Sequence, residues 1–253
     1  MQFDVQTATL VTLLLVSARI LAWMLIAPPI ATGGVPKVVK GVLSVGLGLA
    51  MVPGARAHAP VAELAPMAGA LLEQILIGAA LGFLTRLLFT AVEMAGGLLD
   101  LFGGFSLSAA YEPLTTTMTS VYGRFYALLC TTLIFATDAH LLIFQGFLRT
   151  FNAIPLDQAI SMGALSSTIT SAVTAMFVSA LQIAGPLIVV LFIADIALGV
   201  LNRIAPQLNA FSMSFPVKIG LTLLLVGLGF TLMPGTIVQI ANHANDLVTA
   251  VTG

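Results

Sequence analysis

Three charged side chains stand in apolar stretches of this sequence and are suited to bind an ion or a polar solute: Asp100, Asp195 and Arg203. A charge at the centre of a bilayer costs about 3 kcal/mol, so such residues usually serve a function. Asp195 and Arg203 lie about 80° apart around a helix and share a polar stripe, but they are too distant along its axis for a direct bond. A small-molecule or ion transporter would hold the three at mid-membrane, but transporters usually contain internal repeats, and none is visible here. The transporter is therefore kept as the alternative hypothesis.

Catalytic and metal chemistry have weaker support. Ser106 follows Gly-Phe and His140 lies downstream, but a serine nucleophile needs a base within hydrogen-bond distance, and no motif ties the two together. The histidines His58, His140 and His243 occupy separate segments without the spacing of metal ligands. The single Cys130 excludes a disulfide framework. We expect no catalytic residue, no metal site and no cofactor.

The composition is that of a membrane protein. Hydrophobic residues make up 59% of the 253 residues and charged residues only 8%, whereas soluble domains carry about 25% charged residues. The net charge of -1 gives no reason to expect a nucleic acid as partner. The sequence therefore predicts an all-α integral membrane protein.

The sequence contains six apolar runs; the second is short, and the other five have at least the roughly 17 residues that a membrane-spanning helix needs. They cover residues 8–30, 42–52, 64–92, 121–148, 169–201 and 217–233. Two runs are interrupted, the fourth at Asp138 and His140 and the fifth at Gly185, Pro186 and Asp195. The pattern predicts about six hydrophobic helices in broken hairpins, followed by a short amphipathic tail.

Charged residues within these runs indicate that much of the apolar surface faces protein. Arg19, Arg86 and Glu93 lie within or beside the runs, in addition to the charges already named. Irregular backbone and charge are tolerated at membrane depth only where protein or water surrounds them. The chain is therefore predicted to be one subunit of a larger assembly.

A stripe of carboxylates and small residues follows the third run. On a helix, Glu93, Gly97, Asp100 and Gly104 lie on one face, and we expect the helix to end at Gly103 and Gly104. Small residues at this spacing let another helix approach closely. The approaching helix belongs either to this chain or to a neighbouring subunit, and a face lining an aqueous path is a further alternative.

The next stretch, GGFSLSAAYEPLTTTM at residues 103–118, lacks a helical pattern. Glu112 and Pro113 indicate a turn, because the residue before a proline leaves the α region. Phe105 and Tyr111 stand among small residues. At membrane depth such a stretch must line a cavity or pack within protein, and outside the membrane it is a surface loop.

Polar residues also separate the fifth and sixth runs, in APQLNAF at residues 205–211. We expect Pro206 to end one helix and Pro216 to begin the next, because proline is tolerated in a helix's first turn. Lys218 follows, where a lysine can extend its amine to an interface. The arginine, glutamine and asparagines of this hairpin tip favour a contact surface.

Three ordered motifs resemble those of the FliR family of type III export proteins, whose flagellar and injectisome branches share them. Residues 194–220, ADIALGVLNRIAPQLNAFSMSFPVKIG, are similar to the family signature. EMAGGLLDLFGGF from Glu93, with its following YEP, resembles a second motif, although Glu112 stands where the family usually has Asp. ATDAHLLIFQGFLRTFNAIPL, residues 136–156, resembles a third. The segment SFPVKIG favours the flagellar branch.

This resemblance implies a fold and a function. It implies a FliP-like helical part over residues 1–165 and a FliQ-like helical hairpin with a tail over residues 166–253, in one integrated domain. The implied function is that of a non-catalytic subunit of the flagellar export gate, in the bacterial inner membrane at the flagellar basal body. FliP and FliQ would complete the channel for unfolded export substrates, FlhB would associate with it, and FlhA and the export ATPase would act below it.

The resemblance also implies roles for individual residues. A plug across the closed pore would comprise residues 103–117, with Phe105 and small neighbours sealing the pore. The plug residues would be Gly103, Gly104, Phe105, Ser106, Leu107, Tyr111, Glu112 and Pro113. The contacts between subunits would be made by Glu93, Gly97, Asp100, Asp195, Arg203, Pro206, Gln207, Asn209, Phe211, Pro216 and Lys218.

Overall fold

The computed structural model contains helices and no strands in the part of the chain that it describes, which confirms the all-α prediction. That part comprises residues 2–28, 30–31, 34–58, 63–105, 120–158, 161–205, 207, 210–231 and 233–250. The helices are α1 Gln2–Ile26, α2 Lys37–Ala55, α3 Leu64–Gly103, α4 Val121–Ala136, α5 Ala139–Ala153, α6 Met162–Ile204, α7 Ala210–Gly229 and α8 Met233–Ala250.

By length and composition, four of these helices can cross a membrane: α1, α2, α3 and α6. The bent pairs α4 with α5 and α7 with the start of α8 raise the number to six if each pair forms one span. The predicted number of about six hydrophobic helices is therefore confirmed for the described residues.

Prolines end fewer helices than the sequence analysis predicts. Pro186 lies inside α6, which continues without interruption past Gly185 and Asp195. Pro216 lies inside α7, which begins at Ala210 instead. A proline inside a helix loses one backbone hydrogen bond, whereas a helix end leaves up to four amide or carbonyl groups without intrahelical partners. In apolar surroundings the first loss costs less.

Three element boundaries also differ from the expected ones. The second run becomes a helix of 19 residues, Lys37–Ala55, that includes Pro53. The third run continues as one helix to Gly103, so the stripe of Glu93 and Asp100 belongs to α3. The expected short tail forms the helix Met233–Ala250. In each case the helix continues through a polar residue or a glycine that the sequence analysis took as a boundary.

The predicted interruption at Asp138 is confirmed. Asp138 takes a left-handed conformation with φ 56°, which Asp tolerates better than bulkier residues. The backbone N–H of Thr137 donates to the Leu133 carbonyl at 2.8 Å and closes α4. The apolar run therefore divides into α4 and α5.

The chain packs as two compact units whose segments alternate along the sequence. The first unit comprises Met1–Leu88, Asp138–Val173 and Ile240–Gly253, and the second comprises Phe89–Thr137 and Thr174–Gln239. These units are defined by packing, whereas the division at residue 165 rests on resemblance along the sequence. That division stays a prediction.

Arg19 organises the interior of the first unit. Its side chain is fully buried, and its Nε donates to Gln74 Oε1 at 2.6 Å. Both Nη atoms donate to the carbonyl oxygen of Ile154 at 3.0 Å, and the guanidinium lies 4.5 Å from the ring centre of Phe151. Ile154 follows α5, where carbonyls lack intrahelical donors and a positive charge is favourable. Arg19 thus caps the C-terminus of α5 from α1.

Aromatic stacking and close helix approach hold the same region together. The Trp23 ring stacks on Phe147 of α5, with centroids 4.4 Å apart, and its Nε1 donates to Thr85 Oγ1 at 3.4 Å. Gly78 and Gly82 of α3 lie against α1, where a Cβ at Gly78 would overlap the Arg19 carbonyl. Glycines spaced by four positions allow this close approach.

Replacing Arg19 by alanine should strongly destabilise the first unit. The substitution leaves the Ile154 carbonyl and the Gln74 amide oxygen buried without this donor, which costs about 3 kcal/mol. For a chain of this size, that lowers Tm by roughly 6–12 °C. Thermal unfolding of the purified chain in detergent, followed by the fluorescence of the single Trp23, measures the shift.

Arg149→Ala is the matched control, because Arg149 belongs to the same unit and is exposed. Its Tm should stay close to that of the unchanged chain, since surface substitutions usually alter stability by less than about 0.5 kcal/mol. Equal Tm values for Arg19→Ala and Arg149→Ala would contradict the capping role of Arg19.

Candidate functional site

A buried carboxylate joins the end of α3 to the start of α4 in the second unit. Asp100 is 5% exposed and accepts hydrogen bonds from the Ser120 hydroxyl and from the backbone N–H of Tyr122, the latter at 3.1 Å. Ser120 in turn accepts from the N–H of Gly123 at 2.9 Å as the N-cap of α4. The first N–H groups of a helix lack intrahelical acceptors and favour negative charge. Asp100 therefore holds the two helix ends together.

The turn after α3 follows from its two glycines. Gly104 has φ +85°, a conformation that glycine adopts without steric cost. The N–H of Phe105 donates to the Asp100 carbonyl at 3.0 Å, which is the six-to-one hydrogen bond of a Schellman C-cap. The Phe105 ring packs edge-on against Tyr122 with centroids 5.0 Å apart. The predicted helix end at Gly103 and Gly104 is confirmed.

Helix α7 packs against this glycine turn. A Cβ at Gly103 would lie 2.8 Å from Thr222 Oγ1, so a larger residue does not fit without movement. A Cβ at Gly104 would lie 3.7 Å from Phe215 Cδ1 and 4.0 Å from Lys218 Cδ. The stem of Lys218 thus passes beside the turn. Two motifs that are more than 100 positions apart meet here, and the sequence analysis did not predict this contact.

Lys218 also forms an ion pair across the hairpin. Its Nζ lies 2.6 Å from Asp195 Oδ1, with the side chains 16% and 40% exposed. Among the described residues, the base that pairs with Asp195 is Lys218, whereas Arg203 is exposed near the end of α6. The sequence analysis expected no direct bond between Asp195 and Arg203, and the partner of Asp195 in the described residues is instead Lys218 of α7.

The stripe on α3 is graded in burial. Glu93 is exposed, Gly97 is partly exposed and Asp100 is buried. Next to the stripe, a Cβ at Gly96 would overlap the Tyr122 carbonyl of α4. The helix that approaches the buried end of the stripe therefore belongs to this chain, while the Glu93 side chain is exposed at the other end.

The remaining predicted positions divide into described and undescribed ones. Gln207 is exposed, and Pro216 is exposed within α7. The other predicted positions lie outside the described residues; they are Ser106, Leu107, Tyr111, Glu112, Pro113, Pro206, Asn209 and the side chain of Phe211. Among the described residues, no group of three or more His, Cys, Asp or Glu side chains comes together.

Sequence reasoning missed four residues of the site, namely Ser120, Tyr122, Phe215 and Thr222. Ser120 had a readable signal, because a serine directly before an apolar run is a typical N-cap. The other three had none, since an aromatic residue or a threonine in or beside an apolar run is usually an ordinary packing residue. Their roles depend on which helices meet.

Comparison with known proteins identifies the family. Residues 10–244 match the model of the bacterial export proteins, family 1. Over 202 residues the chain is 33% identical to the flagellar biosynthetic protein FliR of Escherichia coli, covering 79% of this chain and 77% of that protein. The chain belongs to the FliR family of bacterial export proteins. It is a component of the flagellar-type export apparatus, and its apolar helices make it a membrane protein.

Other FliR-family relatives show the breadth of the family. The FliR protein of Bacillus subtilis is 31% identical over 157 residues, which cover 61% of each chain. The surface presentation of antigens protein SpaR of Shigella sonnei is 30% identical over 146 residues, covering 58% of this chain and 56% of SpaR. The chain thus spans about three fifths of these two relatives.

Adjacent glycines of this FliR-family chain should respond differently to substitution by alanine. At Gly96 the added Cβ overlaps the backbone of Tyr122 and must force α3 and α4 apart, and such overpacking costs about 1–3 kcal/mol. At Gly97 the nearest atom is Ser120 Oγ at 3.8 Å, so alanine fits and favours the helix.

The single Cys130, which is buried in α4, reports the difference. Gly96→Ala should raise the rate at which a maleimide labels Cys130 in membranes by about tenfold, the equivalent of 1.4 kcal/mol. Gly97→Ala should leave the rate unchanged or lower it. Equal rates in both variants would contradict the close packing of α3 on α4.

Proposed function

We propose that this chain is a structural, non-catalytic subunit of the flagellar type III protein export gate in the bacterial inner membrane. It forms with FliP and FliQ the plugged channel through which unfolded export substrates leave the cytoplasm. The observation that carries this proposal is the meeting of two family motifs, where the GGF turn after α3 packs on Phe215 and Lys218 of the hairpin. The chemistry of this site is helix capping and ion pairing, which serve architecture.

Helix length supports an assembly. Helices α3 and α6 have 40 and 43 residues, so each is about 60 Å long at 1.5 Å per residue. The hydrocarbon core of a bilayer is about 30 Å thick. Large parts of both helices must therefore contact water, headgroups or other proteins, as expected of a subunit within a larger gate.

The outer surface of α6 supports neighbouring subunits as well. Apolar side chains are exposed around this helix, among them Phe177, Leu181, Phe192, Ile193 and Ile196. We assign this surface to contacts with FliP and FliQ where it is not covered by lipid. The predicted interface residues are proposed to act in two ways. Asp100 and Lys218 hold the helices that form the interface in place, whereas the exposed side chains of Glu93, Arg203 and Gln207 contact the neighbouring subunit directly. FlhB is assigned to the hairpin tip, and FlhA and the export ATPase to the machinery below.

The plug is proposed for residues 103–117. The described ends of this segment support the assignment, because Asp100 ties Ser120 and Tyr122 to the end of α3. The helix ends on either side of the segment are therefore held together by contacts outside it. The flagellar branch is favoured by the relatives named FliR, although the chain is also similar to SpaR.

Co-purification tests the proposal as a whole. The tagged chain, expressed with its genomic neighbours and extracted in mild detergent, should yield one large particle that contains several copies of two other small membrane proteins. Native mass spectrometry gives the mass and the composition of that particle. A stable monomer or dimer without partners would contradict the gate and return attention to a transporter.

Deletion of residues 106–111 tests the plug. Shortening this segment should leave the particle intact but make membranes permeable to small solutes, measured as solute leakage from cells or vesicles. Ser106→Ala is the matched control and should leave both leakage and export unchanged, whereas a hydrolase with Ser106 as nucleophile would lose its function. Unchanged conductance after the deletion would count against a plug at this position.

A further inference from the structure

The outward face of α5 is polar, unlike most of this chain. Gln145, Arg149 and Asn152 are all exposed, and their spacing of four and three positions places them on one face of the helix. The exposed Leu141 continues this face at its N-terminal end. The opposite face is apolar and buried, with Ile143, Phe147 and Phe151 among its residues.

Contacts of the inner face fix the orientation of α5 within the first unit. Phe147 stacks on Trp23 at 4.4 Å, and Arg19 holds the Ile154 carbonyl at 3.0 Å from two nitrogens. A rotation that turned Gln145 or Arg149 inward would break both contacts. The polar face must therefore stay on the outside, whatever surrounds the unit.

Helix α2 of the same unit provides the contrast. Its residues Val38, Val42 and Val45 have the same spacing of four and three positions and are 77%, 67% and 44% exposed. Valines on an outward face suit hydrocarbon, whereas an arginine and two amides in hydrocarbon carry a large desolvation cost. The exposed face of α2 is therefore suited to lipid, and that of α5 is suited to water.

We propose that Gln145, Arg149 and Asn152 line the aqueous export path and contact the unfolded polypeptide during its transit. The inference rests on the proposed function and adds residues that touch the exported chain. Amide side chains both donate and accept hydrogen bonds, as peptide groups do, so Gln145 and Asn152 suit a chain of any sequence. The positive charge of Arg149 complements acidic segments of that chain.

An anionic lipid surface fits this face less well. Recognition of anionic headgroups usually takes a cluster of four to eight basic residues, and this face has one arginine. Interfacial helices also insert their apolar face into the membrane, and the apolar face of α5 is occupied by Trp23 and Arg19 of α1. A passing polypeptide is therefore the occupant that the chemistry favours.

Photocrosslinking in the assembled gate tests the proposal. A photoreactive amino acid replaces Gln145 in one strain and Val42 in another, as the matched position on an outward apolar face. Both strains secrete one of their own export substrates fused to a stable domain that stalls it in the channel. Position 145 should crosslink the stalled substrate several-fold more than position 42.

Each other outcome overturns the proposal. These outcomes are crosslinks from position 145 to lipid or to another membrane subunit, no crosslink there, and equal substrate crosslinks from both positions. Purification of the complex from the same membranes distinguishes a failure of the proposed gate function from a failure of the proposed role of α5. If the complex with FliP and FliQ is absent, the proposed function fails, whereas a complete complex without substrate crosslinks refutes the role of α5 alone.

Discussion

The structure depends on one electrostatic constraint, which is that the free backbone groups at a helix end inside an apolar protein need hydrogen-bonding partners. Asp100 supplies the negative group at the N-terminus of α4, and Arg19 supplies the positive group at the C-terminus of α5. Both match the direction of the helix dipole. Asp100 and α4 belong to the second unit, whereas Arg19 and α5 belong to the first. Each unit therefore contains one of the two helices into which the fourth apolar run divides, together with the charge that caps it. The charges that seem costly in the sequence are therefore what allows helices to be short here.

The sequence predicted the helices better than it predicted the contacts between them. Apolar runs predicted the membrane helices, and the glycine pair and Asp138 predicted two of the breaks, because backbone conformation there is decided locally. The predictions of helix boundaries at Pro186 and Pro216 were wrong. The free-energy cost of a proline inside a helix must be compared with the cost of ending the helix there, and that difference depends on the surroundings. The partner of Asp195 was equally inaccessible, because residue spacing along α6 contains no information about Lys218 on α7.

The surfaces show how one apolar chain is divided among different surroundings. Valines cover the outward face of α2, amides and an arginine cover that of α5, and α6 exposes large apolar side chains of its own. A protein with a single environment would have no reason for such differences. A subunit placed between lipid, neighbouring proteins and a hydrated path needs all three, and it needs rigid helices so that each face stays where its chemistry belongs.

The separation in sequence between Arg19 and its acceptor has a consequence for biosynthesis. Ile154 lies 135 positions after Arg19, so at about 5–20 residues per second the ribosome needs roughly 7–27 s to deliver it. Asp100 waits only for Tyr122, 22 positions later, or about 1–4 s at the same rate. During the longer interval α1 holds an arginine without its final partners while it enters the membrane. Until α5 has been made, Arg19 must therefore find temporary partners in water, in lipid headgroups or in another protein.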